Sequence, residues 1–444
     1  MTLLGGLNLG SGGALPDGAP GAVGGERGGV GCWVSYRFCN EYGEESSPGD
    51  EGMKGAVVIG GHVQGLGIVR MLGCKKIPVI LMDTTGYNVA RFSKYCSRFI
   101  KMPADVFESE ERFCDFLKEK NHQYNLQDWL LFPTDDRTVA YISRNKIELS
   151  DYYKIWTPTW DVVEQCYNKK LTYSLAEKIG IPIPESHFPE DLSDVIAVGD
   201  RLRYPVIIKP AVMHTFYTQT RSKVVIIHTR EELEEQYQHV AKIISPSDII
   251  IQEIILGSPK NLYSCGSFFK NGDIIASVTG RRSRQIPMDF GKASTFVELV
   301  EVAEVRSLSL KLLDALGYYG LSEVEFKYDA RDRTFKLLEI NPRTWKWHSI
   351  ALLSGLNLPY LLYCDMNGES YSEDLDTSKK LSSGKWIDEY TDLYVSMKEM
   401  ILRNMTLREY VTTLTGSKIY GSLSSDDPLP FLAETAMIPV LSRR

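Results

Sequence analysis

The stretch FKYDARDRTFKLLEINPR, residues 326–343, predicts two short strands joined by a charged turn. If Asp332 is the centre of the turn, Glu325 and Glu339 are equidistant from it and lie opposite each other across the hairpin. Side chains of a strand alternate between its two faces. The even positions carry mainly apolar residues, whereas the odd positions around the two acids carry charged and amide groups. We therefore predict a β-hairpin with one buried face and one polar face.

The polar face of this hairpin brings like charges together. Like charges directly opposite destabilise a sheet, and two carboxylates that share a site raise the pKa of one of them unless a positive charge lies between them. The same register pairs Glu323 with Asn341. With no His or Cys nearby, Glu325, Glu339 and Asn341 offer oxygen ligands that suit Mg²⁺ or Mn²⁺. A solvated hairpin face on which Lys327 balances the charge is the alternative, and the stretch alone leaves both interpretations open.

Composition limits the classes of function that need to be considered. The chain has 444 residues, of which 43% are hydrophobic and 24% are charged, and this length predicts two or three domains. The formal net charge of -7 argues against a nucleic-acid surface, and no apolar run approaches the ~18 residues that span a membrane. The eight cysteines show neither a CxxC spacing nor a close Cys/His cluster, so we expect reduced thiols in a cytoplasmic protein.

Residue patterns divide the chain into four parts. Residues 1–52 are rich in Gly and predict a disordered tail. Residues 53–160 alternate strand and helix patterns, which is typical of a Rossmann-like parallel α/β domain. Residues 161–370 mix antiparallel strands with packed helices, as in an α+β domain. Residues 371–444 predict a short helical extension.

A Gly-rich turn follows the first predicted strand. Such a turn places backbone N–H groups at the start of a helix, where an anion can bind. The spacing of Gly60, Gly61, Gly65 and Gly67 does not fit GxGxxG, and Asp83 alone is a common residue at a strand end. An NAD-linked dehydrogenase is an alternative that rests on these glycines only.

The second region collects cationic and acidic residues that suit one ligand. They are Lys169, Lys209, Lys223, Arg281, Arg282, Arg284, Glu325, Glu339, Asn341 and Arg343. A nucleoside triphosphate with its magnesium ion requires ammonium groups for the phosphates and carboxylates for the metal. It also requires an Arg that stabilises charge on the transferring phosphoryl group. No GxxxxGK[ST] motif occurs, so a P-loop is excluded as the phosphate site.

From residue 53 to the C-terminus the chain resembles the ATP-grasp superfamily. The segments that carry the resemblance occur in the family's order, namely NKKLTYSLAEKIGIPIP, YPVIIKP, IIIQEII, VEFKYD and LLEINPR. HTFYTQTRSK, RRSRQIPMDFGKASTFVE and NPRTWKWHSIALLSGLNLPYLLY are similar to a carboxylate–amine ligase branch with D-aspartate ligase-like and carbamoyl-phosphate-synthase-like proteins. The resemblance implies a pre-ATP-grasp domain followed by a two-lobed ATP-grasp domain, with a small lobe at about 187–255.

The resemblance also implies a nucleotide site between the two lobes. Its residues would be Lys169, Lys209, Lys223, Gln252, Glu253, Ile254, Ile255 and Asn261. The first two lysines would contact the α- and β-phosphates, and the backbone after Gln252 would receive the adenine edge. The segment after Lys209 has no Gly-rich flap, so Lys223 and His214 are candidates to cover the phosphates. Asn261 stands where relatives have a ribose-binding acid.

The metal and the reacting groups are assigned from the same resemblance. The implied metal ligands are Glu325, Glu339 and Asn341. Arg343 would contact the γ-phosphate and an acyl phosphate. Strand alternation places Arg282 and Arg284 on one side of their strand, where we predict contacts to a phosphate or to the substrate carboxylate.

These features predict an ATP-dependent carboxylate–amine ligase with ATP and Mg²⁺ or Mn²⁺ as cofactors. Its substrates would be a small carboxylate and an amine, with no nucleic-acid or membrane partner. The alternative is a nucleotide-binding regulatory or scaffold protein without turnover, which the altered flap and the missing ribose acid favour. Solvent, a nearby acid or His348 could take the proton of the amine. The C-terminal helices could cover a partner subunit, which would make a homodimer.

Overall fold

The computed structural model describes residues 54–291, 293–375 and 383–441. The predicted Gly-rich tail, residues 1–52, lies outside the described residues. Three sheets organise the described part of the chain. Within that part, every helix is too short or too polar to cross a membrane.

The N-terminal unit is the predicted parallel α/β domain. Its five strands, in the order β3-β2-β1-β4-β5, are Ala56–Ile59 (β1), Val79–Asp83 (β2), Arg98–Lys101 (β3), Trp129–Pro133 (β4) and Tyr153–Lys154 (β5). Its helices are Val63–Gly73 (α1), Glu110–Tyr124 (α2), Asp136–Arg144 (α3) and Lys146–Leu149 (α4). Alternate residues of β1 enter two different hydrophobic clusters, which explains its continuous apolar sequence. Strand β3 was not predicted.

Protein groups occupy the Gly-rich turn between β1 and α1. The Gly61 N–H donates to the Asp83 carboxylate at 2.7 Å, and the Gln64 N–H donates to His62 Nδ1 at 3.3 Å. A pyrophosphate would need backbone N–H groups of this kind. The alternative of a dinucleotide-binding protein therefore has no support from this turn.

The small lobe is an antiparallel sheet with helices on it. Two helices, Trp160–Tyr167 (α5) and Lys169–Lys178 (α6), precede it. The strands, in the order β6-β9-β7-β8, are Ser186–His187 (β6), Val206–Pro210 (β7), Val225–Ile227 (β8) and Ile249–Glu253 (β9). Helices Leu192–Gly199 (α7), Met213–Thr220 (α8) and Arg230–Val240 (α9) complete the lobe. Helix α8 occupies the segment after Lys209, in which the sequence has no Gly-rich flap.

The large lobe is built on a seven-stranded sheet in the order β14-β13-β10-β11-β12-β15-β16. The strands are Leu262–Lys270 (β10), Asp273–Ile286 (β11), Ala293–Val300 (β12), Gly320–Asp329 (β13), Thr334–Asn341 (β14), Gly384–Ile387 (β15) and Lys418–Tyr420 (β16). Helices Ala303–Ala315 (α10) and Leu358–Asn367 (α11) pack on it. The turn between β10 and β11 has Asn271 and Gly272 at φ of 54° and 78°. Positive φ at both central residues is typical of the tight hairpin turn.

The hairpin of β13 and β14 has the predicted register at its acidic end, where Glu325 pairs with Glu339. Nearer the turn the pairing shifts by one residue, and Leu338 is left without a partner on β13. This bulge sends Leu337 into the core and leaves Leu338 half-buried. The sequence predicted that the even positions of the hairpin, Leu338 among them, lie on the buried face. For Leu338 this was wrong, because a bulge changes the side to which the following residues point.

The C-terminal extension contributes strands as well as helices. The extension was predicted to be helical, but its residues Gly384–Ile387 form β15, which pairs with β12 and buries Trp386. Its helices are Glu389–Ile401 (α12), Leu407–Thr413 (α13) and Leu429–Leu441 (α14). On α12, Asp392 forms a two-pronged ion pair with Arg284 of β11 at 2.8 and 2.7 Å. Because both side chains are almost fully buried, this pair fixes the extension on the large lobe.

His348 ties the N-terminal unit to the large lobe by packing. Its Nδ1 contacts the Trp345 carbonyl at 2.7 Å, so Nδ1–H is the donor. Its Nε2 has no hydrogen-bond partner among the described residues, and a Cβ on Gly67 of α1 would lie 2.8 Å from it. Burial lowers the pKa of His348 to about 4. The side chain is therefore neutral, and its contacts are those of a residue in the core.

The Arg284–Asp392 pair predicts a large effect on stability. Asp392→Ala leaves a buried guanidinium without its partner, so the free energy of unfolding should fall by about 3–5 kcal/mol. Asp105→Ala is the matched control, because its pair with Arg112 is half-exposed and should contribute at most about 1 kcal/mol. Urea unfolding of both variants measures the difference. A loss below about 1 kcal/mol for Asp392→Ala would contradict the structural role of the pair.

His348 predicts a dependence of stability on pH. Its folded-state pKa of about 4 lies below the ordinary value of 6.5, so the unfolded chain binds the proton more readily. The contribution of neutral His348 to the free energy of unfolding is fully present above pH 6.5. It is lost as the pH falls toward 4, and the loss is about 2 kcal/mol at pH 5. His348→Gln keeps a donor for the Trp345 carbonyl and removes this titration. The gap in unfolding free energy between wild type and variant should shift by that amount between pH 7 and pH 5, and a constant gap would refute the assignment.

Candidate nucleotide site

A cavity of about 450 Å³ lies between the small and large lobes, which is within the usual size range of ligand sites. Most of the predicted site residues line it, namely Lys169, Lys209, Lys223, Gln252, Glu253, Ile254, Ile255, Arg282, Glu325 and Glu339. Asn261, Arg284, Asn341 and Arg343 are not among its lining residues.

One part of the cavity has apolar walls. Pro205, Ile207 and Ile226 come from the small lobe, and Leu262 and Leu338 come from the large lobe. Strand β9 ends at Glu253, and the next three residues of the cavity wall belong to no strand. Their backbone groups are therefore available to a ligand edge. A flat aromatic ring with hydrogen-bonding atoms at its edge matches this combination.

The Glu253 side chain is held by two cations of the large lobe. Its carboxylate accepts from Lys336 at 2.6 Å and from Arg331 at 2.7 Å. Burial opposes ionisation, but Lys336 and the other donors outweigh it and lower the pKa of Glu253. The side chain thus fixes the hinge between the lobes, and the hinge backbone is what the cavity presents.

Lys209 is held at the polar end of the cavity. Its Nζ donates to the Tyr173 hydroxyl at 2.7 Å and to the Gln252 side-chain oxygen at 2.8 Å. The residue is buried, and burial lowers the pKa of Lys209. Its partners in the described part of the chain are neutral groups, so an anion in the cavity would be a stronger partner than either.

Lys169 lies beside one of the two opposed acids. Its Nζ is 3.2 Å from a Glu339 carboxylate oxygen. Although burial alone would raise the pKa of Glu339, the cations Lys169, Lys223 and Arg282 hold it well below its usual value. Glu339 is therefore a stable anion, and Lys169 pairs with it in the wall of the cavity.

The second acid is neutralised by an arginine. Arg282 donates to Glu325 at 2.7 Å and lies 4.0 Å from Glu323. Glu323 is almost fully buried, and burial followed by repulsion from Glu325 raises the pKa of Glu323. Side-chain cations thus resolve the repulsion that the hairpin register creates.

The three predicted metal ligands fit a cation only in part. Glu325 and Glu339 bring two carboxylates to one wall of the cavity, which suits a hard cation. Asn341 points its NH₂ group at Glu325 and its oxygen at Arg343, each at 3.1 Å. The amide would have to turn over to become a ligand. The described residues contain no group of three or more His, Cys, Asp and Glu side chains that could hold a metal.

Arg284 differs from its prediction. The pairing of β11 with β12 shifts between Arg282 and Arg284 and again before Gln285. As a result Arg282 and Gln285 line the cavity, whereas Arg284 points to α12 and pairs with Asp392. The expectation that Arg282 and Arg284 act together was wrong, because these bulges break the strand alternation on which it rested.

Two other predicted residues lie beside the cavity. Arg343 donates to Asp136 of α3 at 2.6 Å and so connects β14 with the N-terminal unit. Asn261 packs against Gly257, where a Cβ would meet its side-chain nitrogen at 2.4 Å. A contact from either residue to a ligand requires a change of side-chain position. His348 lies outside the cavity lining as well.

The cover of the cavity comes from both lobes. Lys223, just before β8, donates to the Gly291 carbonyl at 3.1 Å. The loop that contains Met288, Asp289 and Phe290 lines the same side. This bridge connects the segment that lacks a Gly-rich flap to the large lobe across one side of the cavity. The side chain of His214, the other candidate, lies outside the described residues.

Three lining or supporting residues were missed as site residues. Lys327 lines the cavity, and burial lowers the pKa of Lys327. Tyr173 positions Lys209, and its location four residues after Lys169 on α6 was a usable signal. Gln285 enters the cavity only because of the bulges, which no local pattern indicated.

Sequence comparison finds similarity to a ligase and to a carbamoyl phosphate synthase. Residues 291–360 match the family described as carbamoyl-phosphate synthase L chain, ATP binding domain. The chain is 25% identical over 261 residues to D-aspartate ligase of Enterococcus faecium, which covers 56% of the chain and 59% of that ligase. It is 24% identical over 198 residues to the carbamoyl phosphate synthase large chain of Archaeoglobus fulgidus, covering 43% of the chain and 18% of that protein. It thus spans less than two thirds of each relative.

Solved structures share the fold over a larger part of the chain. L-amino acid ligase from Bacillus licheniformis matches with a TM-score of 0.56 at 17% identity, over 74% of this chain and 77% of that one. The biotin carboxylase domain dimer of the Hydrogenobacter thermophilus 2-oxoglutarate carboxylase, solved with MgADP and bicarbonate, gives 0.58 at 17% identity over 72% of both chains. With the sequence relatives, this shared architecture confirms the predicted resemblance to ATP-grasp ligases and the predicted mixed α/β fold.

Proposed function

We propose that the chain is an ATP-dependent carboxylate–amine ligase that works through an acylphosphate. A substrate carboxylate oxygen attacks the γ-phosphorus, the bond from that phosphorus to the β,γ-bridging oxygen breaks, and ADP leaves. The amine nitrogen then attacks the acyl carbon, phosphate leaves, and the amine loses its proton. The product is an amide or peptide bond.

The observation that carries this proposal is the order of groups along the cavity. An apolar section beside the free hinge backbone suits adenine. Lys209 is bonded to Gln252, just before the hinge, and Lys169 lies against Glu339 of the hairpin. Arg282 lies at that acidic end. The arrangement supports binding of a nucleoside triphosphate with the γ-phosphate near Glu325 and Glu339. Phosphoryl transfer depends mainly on such positioning and charge neutralisation.

Glu325 and Glu339 would hold the divalent cation, with Asn341 as a third ligand after its amide turns over. The cation would neutralise charge on the β- and γ-phosphates. Arg282 and Lys169 lie against the same carboxylates, so their side chains can turn to phosphate oxygens when a ligand enters. Arg343 lies beside Asn341 and would approach the reacting phosphoryl group.

The relatives support an amino acid or a similar small acid as one substrate. The two named ligases act, by their names, on D-aspartate and on L-amino acids. Both name the ligation of an acid that also carries an amine. The proposal for this chain is therefore a small carboxylate joined to an amine, with at least one of the two an amino acid.

The metal assignment predicts loss of turnover in Glu339→Gln. The change removes one anionic oxygen ligand, so kcat/KM should fall about 100-fold or more. ADP release is measured over a panel of amino acids and small carboxylates in the presence of ATP and Mg²⁺. Glu304→Gln, on the exposed start of α10 in the same lobe, should match wild type. Equal rates for Glu339→Gln and wild type would contradict the assignment, and ATP binding without ADP release on any substrate would favour the non-turnover alternative.

The nucleotide assignment predicts a separate effect for Lys209→Met. Methionine fills the same space without charge, so affinity for ATP with Mg²⁺ should weaken about 10- to 100-fold. Stability should change by less than about 1 kcal/mol, because the buried ammonium has only neutral partners to lose. Calorimetric titration and urea unfolding measure the two quantities. Lys170→Met serves as the control, because the Lys170 ammonium donates to the Ser247 carbonyl outside the cavity. Unchanged nucleotide affinity in Lys209→Met would refute the assignment.

A further inference from the structure

A second cavity, of about 200 Å³, lies in the large lobe at the start of helix α10. Its walls come from β11, from the end of β12, from the first turn of α10 and from Ser354, the last residue of the short helix His348–Ser354. Among the described residues, none lines both this cavity and the nucleotide cavity. Thr279 of the second cavity and Arg282 of the first are about 10 Å apart along β11. The second cavity is therefore a separate site.

The start of α10 offers backbone N–H groups to this cavity. The residue before the helix is Val302, whose side chain cannot accept a hydrogen bond, and its own N–H donates to the Thr279 hydroxyl at 3.3 Å. The first N–H groups of a helix have no acceptor within the helix. Ala303, the first residue of α10, lines the cavity. The partial positive charge of a helix start favours an anionic group at this position.

Ser354 adds a buried hydroxyl that lacks a partner. The residue is 1% exposed, and its Oγ has no hydrogen-bond partner in the part of the chain that the structure describes. A buried hydroxyl without a hydrogen bond is unfavourable, so native proteins rarely keep one without a reason. Ser354 belongs to the wall of the cavity. A polar ligand in the cavity would supply the missing hydrogen bond.

Two charged residues of opposite sign also line the cavity. Arg306, the fourth residue of α10, donates through Nε to the Ser277 hydroxyl at 3.3 Å. This contact holds the guanidinium at the cavity wall and leaves its two NH₂ groups for another acceptor. Glu301 lies just before the helix and lines the same cavity. Neither Arg306 nor Glu301 forms an ion pair with a described residue, so each could pair with a ligand.

Charge and size decide the class of ligand. Inorganic phosphate would bring one or two negative charges close to Glu301, which opposes its binding. A zwitterion has no net charge, and its two ends match the helix start with Arg306 on one side and Glu301 on the other. The remaining wall is apolar, with Val278, Leu299 and Val300, and suits a hydrocarbon side chain. The volume lies below the ~300 Å³ at which sites for drug-sized ligands begin, so the ligand must be small.

We propose that this second cavity binds a small amino acid with an apolar side chain. The carboxylate of the amino acid accepts hydrogen bonds from the start of α10, from Arg306 and from the Ser354 hydroxyl, and its ammonium group contacts Glu301. The inference goes beyond the proposed ligase reaction and does not depend on it. An amino acid bound here is not the one that would be phosphorylated, because the residues proposed to hold the phosphates line the other cavity.

Calorimetric titration of the full-length chain with L-alanine and L-valine, without nucleotide, tests the site. At least one of them should bind with a dissociation constant of about 1 mM or less. Two analogues of valine test the need for both charges, because 3-methylbutanoate lacks the ammonium group and 2-methylpropylamine lacks the carboxylate. Each analogue should bind at least about 10-fold more weakly than valine. Inorganic phosphate should also bind more weakly than valine.

Variants of the two charged residues locate the ligand. Arg306→Gln should weaken valine binding about 10- to 100-fold, because a charge-assisted hydrogen bond is lost. Lys311→Gln is the matched control, since Lys311 is an exposed residue of the same helix outside the cavity, and it should bind valine as wild type does. Glu301→Gln should weaken valine but strengthen 3-methylbutanoate, because it removes the repulsion between Glu301 and a lone carboxylate.

Ser354→Ala separates a role in binding from a role in folding. The variant should bind valine about 3- to 10-fold more weakly. Its midpoint of urea unfolding should be unchanged or higher, because the hydroxyl has no partner to lose. Lys209→Met changes the nucleotide cavity and should bind valine as wild type does, which keeps this test separate from the proposed ligase function.

Four results would overturn the proposal. The first is that neither alanine nor valine binds at concentrations up to about 10 mM. The second is that Arg306→Gln binds valine as tightly as wild type does. The third is that phosphate or 3-methylbutanoate binds more tightly than valine, which would assign the cavity to a simple anion. The fourth is that valine binding is lost in Lys209→Met and kept in Arg306→Gln, which would place the amino acid in the nucleotide cavity instead.

Discussion

Two carboxylates opposed across β13 and β14 set the conditions for the rest of the site. Glu325 and Glu339 pair directly, and such a pair is unfavourable unless positive charge is close. The chain supplies that charge from two separate elements, Arg282 from β11 and Lys169 from the start of α6. Each cation must be carried to the hairpin by packing of its own element. The hairpin therefore constrains β11, which β10 separates from it in the sheet, and helix α6, which lies outside the sheet.

The same constraint relates the fold to the cavity. Residues of the small lobe and residues of the hairpin meet only where the lobes approach each other, and Lys223 closes that approach through the Gly291 carbonyl. Glu253 is held from the opposite lobe by Lys336 and Arg331. The hinge is thus fixed by ion pairs at its side chains, which leaves its backbone free for a ligand. Rigid scaffolding around a few free polar groups is what a binding site requires.

The sequence was informative where pattern and local geometry agree. A turn centred at Asp332 gave the correct acidic pairing of Glu325 with Glu339, and alternation gave the buried face of β13, because its apolar residues must enter the core. The lysine at the end of β7 was located by its place in an apolar strand. Prediction failed at Leu338 and at Arg284, where bulges change the direction of side chains. It also failed at β15, because this short strand is defined by its pairing with β12, which is distant in sequence. Bulges and pairing between distant strands depend on tertiary contacts, which a single sequence shows only weakly.

Charge balance in the cavity bears on how a ligand would enter. In the described structure the acids of the hairpin are matched by Arg282 and Lys169, while Lys209 has neutral partners. A triphosphate would draw these cations toward itself and leave Glu325 and Glu339 facing phosphate oxygens. In a site removed from bulk water such an excess of negative charge is strongly unfavourable. Under the proposed function, entry of the nucleotide and of a divalent cation would therefore be linked, because the cation removes the repulsion between the phosphates and the two carboxylates.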